Sequence, residues 1–343
     1  MGLRSINNPK SSFDDPYAST GLEAYLPSNA YITGAWYGTY GIWAGGYRGA
    51  GGGDGTTNLI QYVTIANTGN ATSGGSLTQA RQWLVGCSNG TRGLYMGGVA
   101  GNGSVEYNII GYLTCATPDG NATDFGDLTL KRTGPGAGCD GVRALCMGGY
   151  DDGNYQNIID YVAVAITGNA TDFGDLSSVR GYGAACNDNM RAVYGGGEDS
   201  GGKTNVMEYV AFQTLGNATD FGDLNSGSTA YMAACSSLVR GIFAGGSTGS
   251  YINEIQRFTI QTTGNASDFG DLTVARFGFA GCSNAVRGVF GGGKISNGNS
   301  TNTMDYITID NTSNATDFGD LQNGAGNTSN GTGRQAIAAL GGG

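Results

Sequence analysis

Short apolar runs recur along the chain, each closing on Gly-Gly: GIWAGG at 41–46, GLYMGG at 93–98, ALCMGG at 144–149, AVYGGG at 192–197, GIFAGG at 241–246 and GVFGGG at 288–293. A polar insert of changing length follows each run. Then comes an alternating segment with an aromatic residue inside it, such as NIIDYVAVAI (157–166), NVMEYVAFQT (205–214) or NTMDYITIDN (302–311). A short continuous apolar run reads as a strand covered on both faces, and alternation reads as a strand with one face covered. No stretch sustains a helical period, so the pattern predicts an all-β chain.

One string ties these segments into a repeat. GNATDFGDL stands intact at 120–128, 168–176 and 216–224, recurs as GNASDFGDL at 264–272 and SNATDFGDL at 313–321, and has a worn copy, GNATSGGSL, at 69–77. Its Asn falls at 70, 121, 169, 217, 265 and 314, which gives spacings of 51, 48, 48, 48 and 49. After the string comes a segment such as RGYGAACNDN (180–189) or RFGFAGCSNA (276–285). An Arg (Arg92, Arg143, Arg191, Arg240, Arg287) then leads into the next Gly-Gly run. Each unit therefore holds four short strands. One such unit cannot bury both faces of its sheet, so the units must stack.

The order apolar-aromatic-x-Gly-Gly, insert, Tyr segment, aromatic, Arg resembles the kelch repeat of β-propellers, whose period is near ~50 residues. The likeness covers residues 31–343, with Phe125, Phe173, Phe221, Phe269 and Phe318 standing where that family usually has Trp. The Asn-Ala-Thr-Asp-Phe-Gly-Asp string departs from ordinary kelch repeats and is more similar to repeat proteins of tailed-phage virions. Its Asp-Phe-Gly also resembles the Asp-box of sialidase propellers, without the Ser and Trp of that box. The resemblance implies a kelch-like propeller. There are six DFGDL-type segments but seven Gly-Gly endings, the last being AIAALGGG at 336–343. The expectation is seven four-stranded blades, with six as the alternative. Pairing of N- and C-terminal strands would close the ring, because this removes the free edges. Residues 1–30 hold three of the five Pro and are expected to supply closing strands or an arm for attachment.

Composition alters this picture in two ways. Gly makes up 65 of 343 residues, which in this setting implies strands crowding an axis and turns needing positive φ. There is no His at all, which removes His-activated nucleophiles and His-held zinc or copper. With 27 acidic and 17 basic residues the net charge is −10, a poor basis for tracking phosphates, so no nucleic-acid partner is expected. No 18-residue apolar run and no signal-peptide or myristoylation pattern is present, so no membrane insertion is expected and the chain is read as made in a cytoplasm.

The repeated polar residues each have a structural and a functional reading. Cys87, Cys139, Cys186, Cys235 and Cys282 are spaced 52, 47, 49 and 47 apart, so they are read as one blade position and as reduced core thiols. The Asp pairs, such as Asp124 and Asp127, are read as turn acceptors, with Ca²⁺ binding and acid–base work as alternatives. The Asn-Ala-Thr sequons are read as turns. The Arg before each Gly-Gly run either ties blades together or forms a cationic ring. No cofactor and no catalytic residue is expected.

The inserts break the repetition. They carry Tyr47, Arg48 and Asp54; Tyr150, Asp151, Asp152, Asn154 and Tyr155; Glu198, Asp199 and Lys203; and Lys294 and Asn297. Variable loops on one face of a rigid scaffold are where recognition resides, and loops also drift without function. Tyr, Asn, Asp and Gly suit contacts with sugars or proteins. The resemblance implies a non-enzymatic structural and binding propeller in a phage virion: a tail fibre, appendage or surface protein in a multi-copy assembly. Its partners would be other virion proteins and a host-surface glycan or receptor. A cellular kelch adaptor located in the cytoplasm, or a glycan-cleaving propeller, are the other readings.

Overall fold

The computed structural model describes residues 38–48, 55–100, 105–296 and 299–322, together with the backbone of 334–335 and 338–340. Within these, six four-stranded antiparallel sheets form the blades of a β-propeller. Blade 3 shows the plan: an inner strand (Gly136–Cys139), the Gly-Gly strand (Arg143–Met147), the Tyr strand (Ile158–Ala163) and an outer strand (Thr171–Asp175). The inner strands of blades 2, 4, 5 and 6 are Val85–Ser88, Ala184–Asn187, Ala233–Ser236 and Ala280–Ser283. That of blade 1 is Ala338–Leu340. Successive inner strands pack side by side around the axis, and the sixth meets the first.

The ring thus closes with six blades, not seven. The seventh Gly-Gly ending does not open a further blade. Its residues 338–340 are the inner strand of blade 1, paired antiparallel with Tyr40–Ala44 through Ile42↔Leu340 and Ala44↔Ala338. Closure by strands from both ends of the propeller is as expected, with Tyr40–Ala44 as the N-terminal partner. The expected contribution of residues 1–30 lies outside the described residues. At the outer rim the last string meets the first: Asp320 N–H donates to Asn70 Oδ1 at 3.0 Å.

That contact repeats at every seam and explains the string. Ser76, Asp127, Asp175, Asp223 and Asp271 each donate their N–H to the Asn of the next blade, Asn121, Asn169, Asn217, Asn265 and Asn314, at 3.0–3.1 Å. A backbone bond accompanies each one, such as Ala170 N–H to Asp127 O, and four of the six seams have a second on the other side, such as Gly168 N–H to Phe125 O. Asn, rather than Asp or Thr, is therefore the side-chain acceptor, and it works between blades instead of inside a turn. The Gly of Asp-Phe-Gly is required here: at Gly126, φ 147°, a Cβ would lie 2.3 Å from Gly168 O. The Phe beside it is buried and meets the Tyr of its own blade edge-on, as in Tyr161–Phe173 at 5.9 Å. Each such Phe contributes about 2–3 kcal/mol of apolar burial.

Gly-Gly sits on the second strand, one removed from the axis, so crowding at the axis is not its reason. Both residues have positive φ, and a Cβ on Gly97 or Gly148 would lie 2.5 Å from the carbonyl of Arg132 or Arg180. The crowding is against the segment leading into the next blade. Those arginines are fully buried, and each pairs with a carboxylate: Arg132 with Asp160 at 2.5 Å, Arg180 with Glu208, and Arg276 with Asp305 at 2.9 Å. Blade 5 replaces the pair with neutral Thr229 and Gln256, both buried. Blade 2 keeps Arg81 but places Gly111 opposite, leaving backbone carbonyls of Tyr95, Gly97 and Ile109 as its acceptors. Burial pushes the Arg81 guanidinium down to about 10.

The arginines that open each Gly-Gly strand tie blades together rather than forming a free cationic ring. Arg92, Arg143, Arg191, Arg240 and Arg287 donate to carbonyls of the next blade, at Val164, Phe212, Gln261, Ile309 and Ile65. All seven Cys are free and buried. Four of the five repeated ones share the third place of the inner strand. Cys139 does not: it stands fourth in Gly136–Cys139, and Gly138 takes the third place. A one-residue step turns a side chain to the other face. For three of these four Cys the next blade offers Gly, as Cys186 Sγ would lie 2.9 Å from a Cβ on Gly241; Cys87 instead shares its core cluster with Ala144. Where the third residue is Gly138, the next blade offers the larger Ala192.

Candidate functional site: the axial mouth and insert face

In an antiparallel four-stranded blade, the inserts after Gly-Gly and the blade-to-blade connections leave from one end, and the uniform turns from the other. The inserts of blades 2, 3 and 4 fold as hairpins with two-residue strands. Tyr150–Asp151 pairs with Asn154–Tyr155, Glu198–Asp199 with Gly202–Lys203, and Val99–Ala100 with Val105–Glu106. Asp152, at φ 44°, and Gly153 turn the first of these, as an Asp-Gly hairpin turn requires.

The connections supply what the inserts surround. Two residues before the inner strands of blades 2 to 6, the chain enters the left-handed region at Trp83 (φ 53°), Gly134 (63°), Tyr182 (58°), Tyr231 (65°) and Gly278 (64°). These five are linked around the axis by backbone bonds. Gly134 N–H donates to Trp83 O, Tyr182 to Gly134, Tyr231 to Tyr182 and Gly278 to Tyr231, at 2.6–2.9 Å. This collar surrounds the mouth of a cavity of about 110 Å³, whose wall is made by small inner-strand residues such as Gly86, Gly136, Ala185, Ala234 and Gly281.

Three aromatic side chains converge on the collar. Trp83 lies 5.4 Å, centroid to centroid, from both Tyr182 and Tyr231, which are themselves 4.9 Å apart. The rings continue outward on both sides. One side runs through Tyr150 to Tyr155, at 6.4 and 5.0 Å, and the other through Phe277 to Tyr251, at 5.5 and 4.6 Å. All seven are half-buried. Glu198 joins insert to mouth, because its Oε1 accepts both the Tyr155 hydroxyl, at 3.3 Å, and the Tyr231 hydroxyl. Burial and then the Glu198 charge push Tyr155 up to about 12, and burial with the Glu198 hydrogen bond raises Tyr231 further, so both stay protonated donors.

A second cluster sits beside it. Asp152 N–H donates to Glu106 Oε2 at 2.9 Å, and Lys131 Nζ lies 3.4 Å from Asp151 and 3.9 Å from Glu106. Burial raises the Glu106 carboxyl, the Asp152 N–H opposes this, and neighbouring Asp151 adds to it.

Of the residues marked by the sequence, Tyr150, Asp151, Asp152, Tyr155 and Glu198 are thus brought together. Asn154 donates to the Asp152 carbonyl, and Asp199 accepts from Gly201 and Gly202 within its own turn. Lys203 is the cross-strand partner of Glu198. Lys294, on the insert of blade 6, pairs through its backbone with Phe277 of the aromatic arc, whereas Tyr47 lies on the insert of blade 1, opposite Gln335. Arg48 is described only in its backbone, opposite Arg334. Asp54 and Asn297 fall outside the described residues.

Sequence reasoning missed Trp83, Tyr182, Tyr231, Phe277, Glu106 and Lys131. The signal was present: Trp83, Gly134, Tyr182, Tyr231 and Gly278 hold one place in the repeat, filled by either Gly or a large aromatic. Together the fold and this face define a six-bladed β-propeller with an aromatic, carboxylate-edged mouth. The sequence matches no protein-family profile and no curated protein.

Proposed function

We propose that this is a non-enzymatic, kelch-like binding propeller of a tailed-phage virion, carried on an appendage or surface layer with its insert face turned toward a host-surface glycan or receptor. The observation that supports it is the contrast between the two kinds of surface. Seam after seam repeats the same clasp, whereas the inserts differ from blade to blade and surround half-exposed aromatic rings. Recognition on a rigid scaffold concentrates in such loops. The carboxylates of this face are engaged, Glu198 by two tyrosines and Glu106 by Lys131 and a backbone N–H, as suits a binding surface. Other virion proteins would hold the remaining surface.

Antibodies raised against the purified chain test this reading. The expected result is labelling of an appendage or surface layer on intact particles, and blocked adsorption by antibodies that recognise the insert face. Recovery of the chain only as free cytosolic protein overturns it. Sugar release from a surface polysaccharide that is lost in Asp151→Asn or Asp152→Asn would instead make it an enzyme.

A further inference from the structure

We infer that the axial mouth binds an uncharged pyranose, its apolar face packed against the aromatic wall of Trp83, Tyr182 and Tyr231 and its hydroxyls donating to Glu198. This rests on the binding role proposed above and specifies its ligand chemistry.

Backbone geometry singles out the three aromatic residues. The described part of the collar has five left-handed residues, and blades 3 and 6 supply theirs with Gly134 and Gly278, which keep the same inter-blade hydrogen bonds. Bulky side chains in this region carry a steric penalty that Gly avoids. Trp83, Tyr182 and Tyr231 break the local rule with no gain in backbone bonding. Such strain concentrates at ligand clamps.

Ring spacing and charge then choose the ligand. An aromatic cage for an ammonium group surrounds an empty centre, with the cation within ~6 Å of each ring. Here the rings already touch one another, at 4.9–5.4 Å, and leave no centre to fill. The rings are not coplanar: Tyr182 and Tyr231 tilt 35° to each other, and Trp83 stands at 80° and 57° to them, so they offer outward a faceted aromatic wall, extended by Phe277, Tyr251, Tyr150 and Tyr155 into an arc longer than one sugar ring. Glu198 uses one oxygen for two tyrosine hydroxyls, and a carboxylate has about four lone-pair sites, so it can accept sugar hydroxyls as well. The surrounding charge is negative: Glu106, Asp151, Asp152, Glu198 and Asp199 are set against Lys131, which is already paired, Lys203 and Lys294. Uronic acids, sialic acids and phosphorylated sugars would meet repulsion there.

Titration calorimetry on the full chain tests this with three probe sets: neutral gluco-, galacto- and manno-oligosaccharides; oligogalacturonate with sialyllactose; and tetramethylammonium. Binding is expected only among the neutral oligosaccharides. Trp83→Gly and Tyr182→Gly should each weaken it about tenfold, the loss of one stacked ring. Because Gly suits the left-handed backbone, both variants should keep one cooperative thermal transition, at a midpoint lowered by the lost ring contacts, which separates lost recognition from lost folding. The inference is overturned if no neutral oligosaccharide binds, if an acidic sugar or tetramethylammonium binds in preference, or if the double Gly variant binds as well as the parent. Appendage labelling that persists alongside any of those results leaves the binding role standing and removes only the sugar.

Discussion

Arg81 and Gly111 show how much one residue matters inside a repeated scaffold. In blades 3 and 6 the equivalent Arg meets Asp160 or Asp305, and Thr129 or Thr273 adds hydrogen bonds to the same carboxylate. Blade 2 keeps the Arg and has Thr78 near, but Gly111 provides no counter-ion. A Cβ on Gly111 would sit 3.5 Å from the Arg81 guanidinium and 3.8 Å from Thr78 Oγ1, which is ordinary contact. Gly111→Asp should therefore stabilise the protein by about 1–2 kcal/mol, as hydrogen bonds to a charged group do. Asp160→Ala should cost about 3–5 kcal/mol, because it strands Arg132 in the core. Urea unfolding of the two variants measures both; a destabilised Gly111→Asp would show that the backbone carbonyls already satisfy Arg81.

The outer clasp is the element that turns separate sheets into a ring. Its Asn side chain and its Gly serve it in different ways. Asn217 accepts one hydrogen bond, from Asp175, at an exposed seam, so Asn217→Ala should cost only about 1 kcal/mol. Gly174, at φ 149°, leaves space for the Gly216 carbonyl, which a Cβ would approach to 2.4 Å. Gly174→Ala must push two blades apart and should cost about 2–3 kcal/mol, in the range of overpacked cores. Thermal unfolding of the pair decides whether backbone fit or side-chain bonding dominates the seam. Equal losses would place the Asn on a par with the backbone bonds that flank it. The polar belt nearer the axis works likewise, with Ser283 donating to Ser236 O and Ser236 to Asn187 O, both at 2.7 Å.

At the scale of the whole molecule, closure depends on one short strand. Residues 338–340 cover the inner edge of Tyr40–Ala44 and fill the sixth place around the axis. Deleting 334–343 should expose that edge and open the collar's side of the ring. Unpaired edges template association, so the truncated chain should oligomerise or aggregate and lose a single cooperative transition. Size-exclusion chromatography with calorimetry reads both. A monomer that melts as the full chain does would show the outer clasp alone sufficient for closure.

The period of the string, the apolar runs and the alternating Tyr segments determined the fold class from sequence, because strand patterning and stacking are properties of each repeat by itself. The blade count was not determined that way. AIAALGGG has the composition of a Gly-Gly strand, and only pairing with Tyr40–Ala44 makes it an inner strand of blade 1. The shift of Cys139 by one place was hidden for the same reason, since spacing counts residues while register depends on partners. The inserts were legible as variable loops, and the structure joined Tyr155 to Glu198. The aromatic mouth needed the tertiary structure most. Trp83, Tyr182 and Tyr231 are far apart in the chain and unremarkable singly; six-fold closure brings them onto one axis, and the left-handed collar turns their rings toward each other.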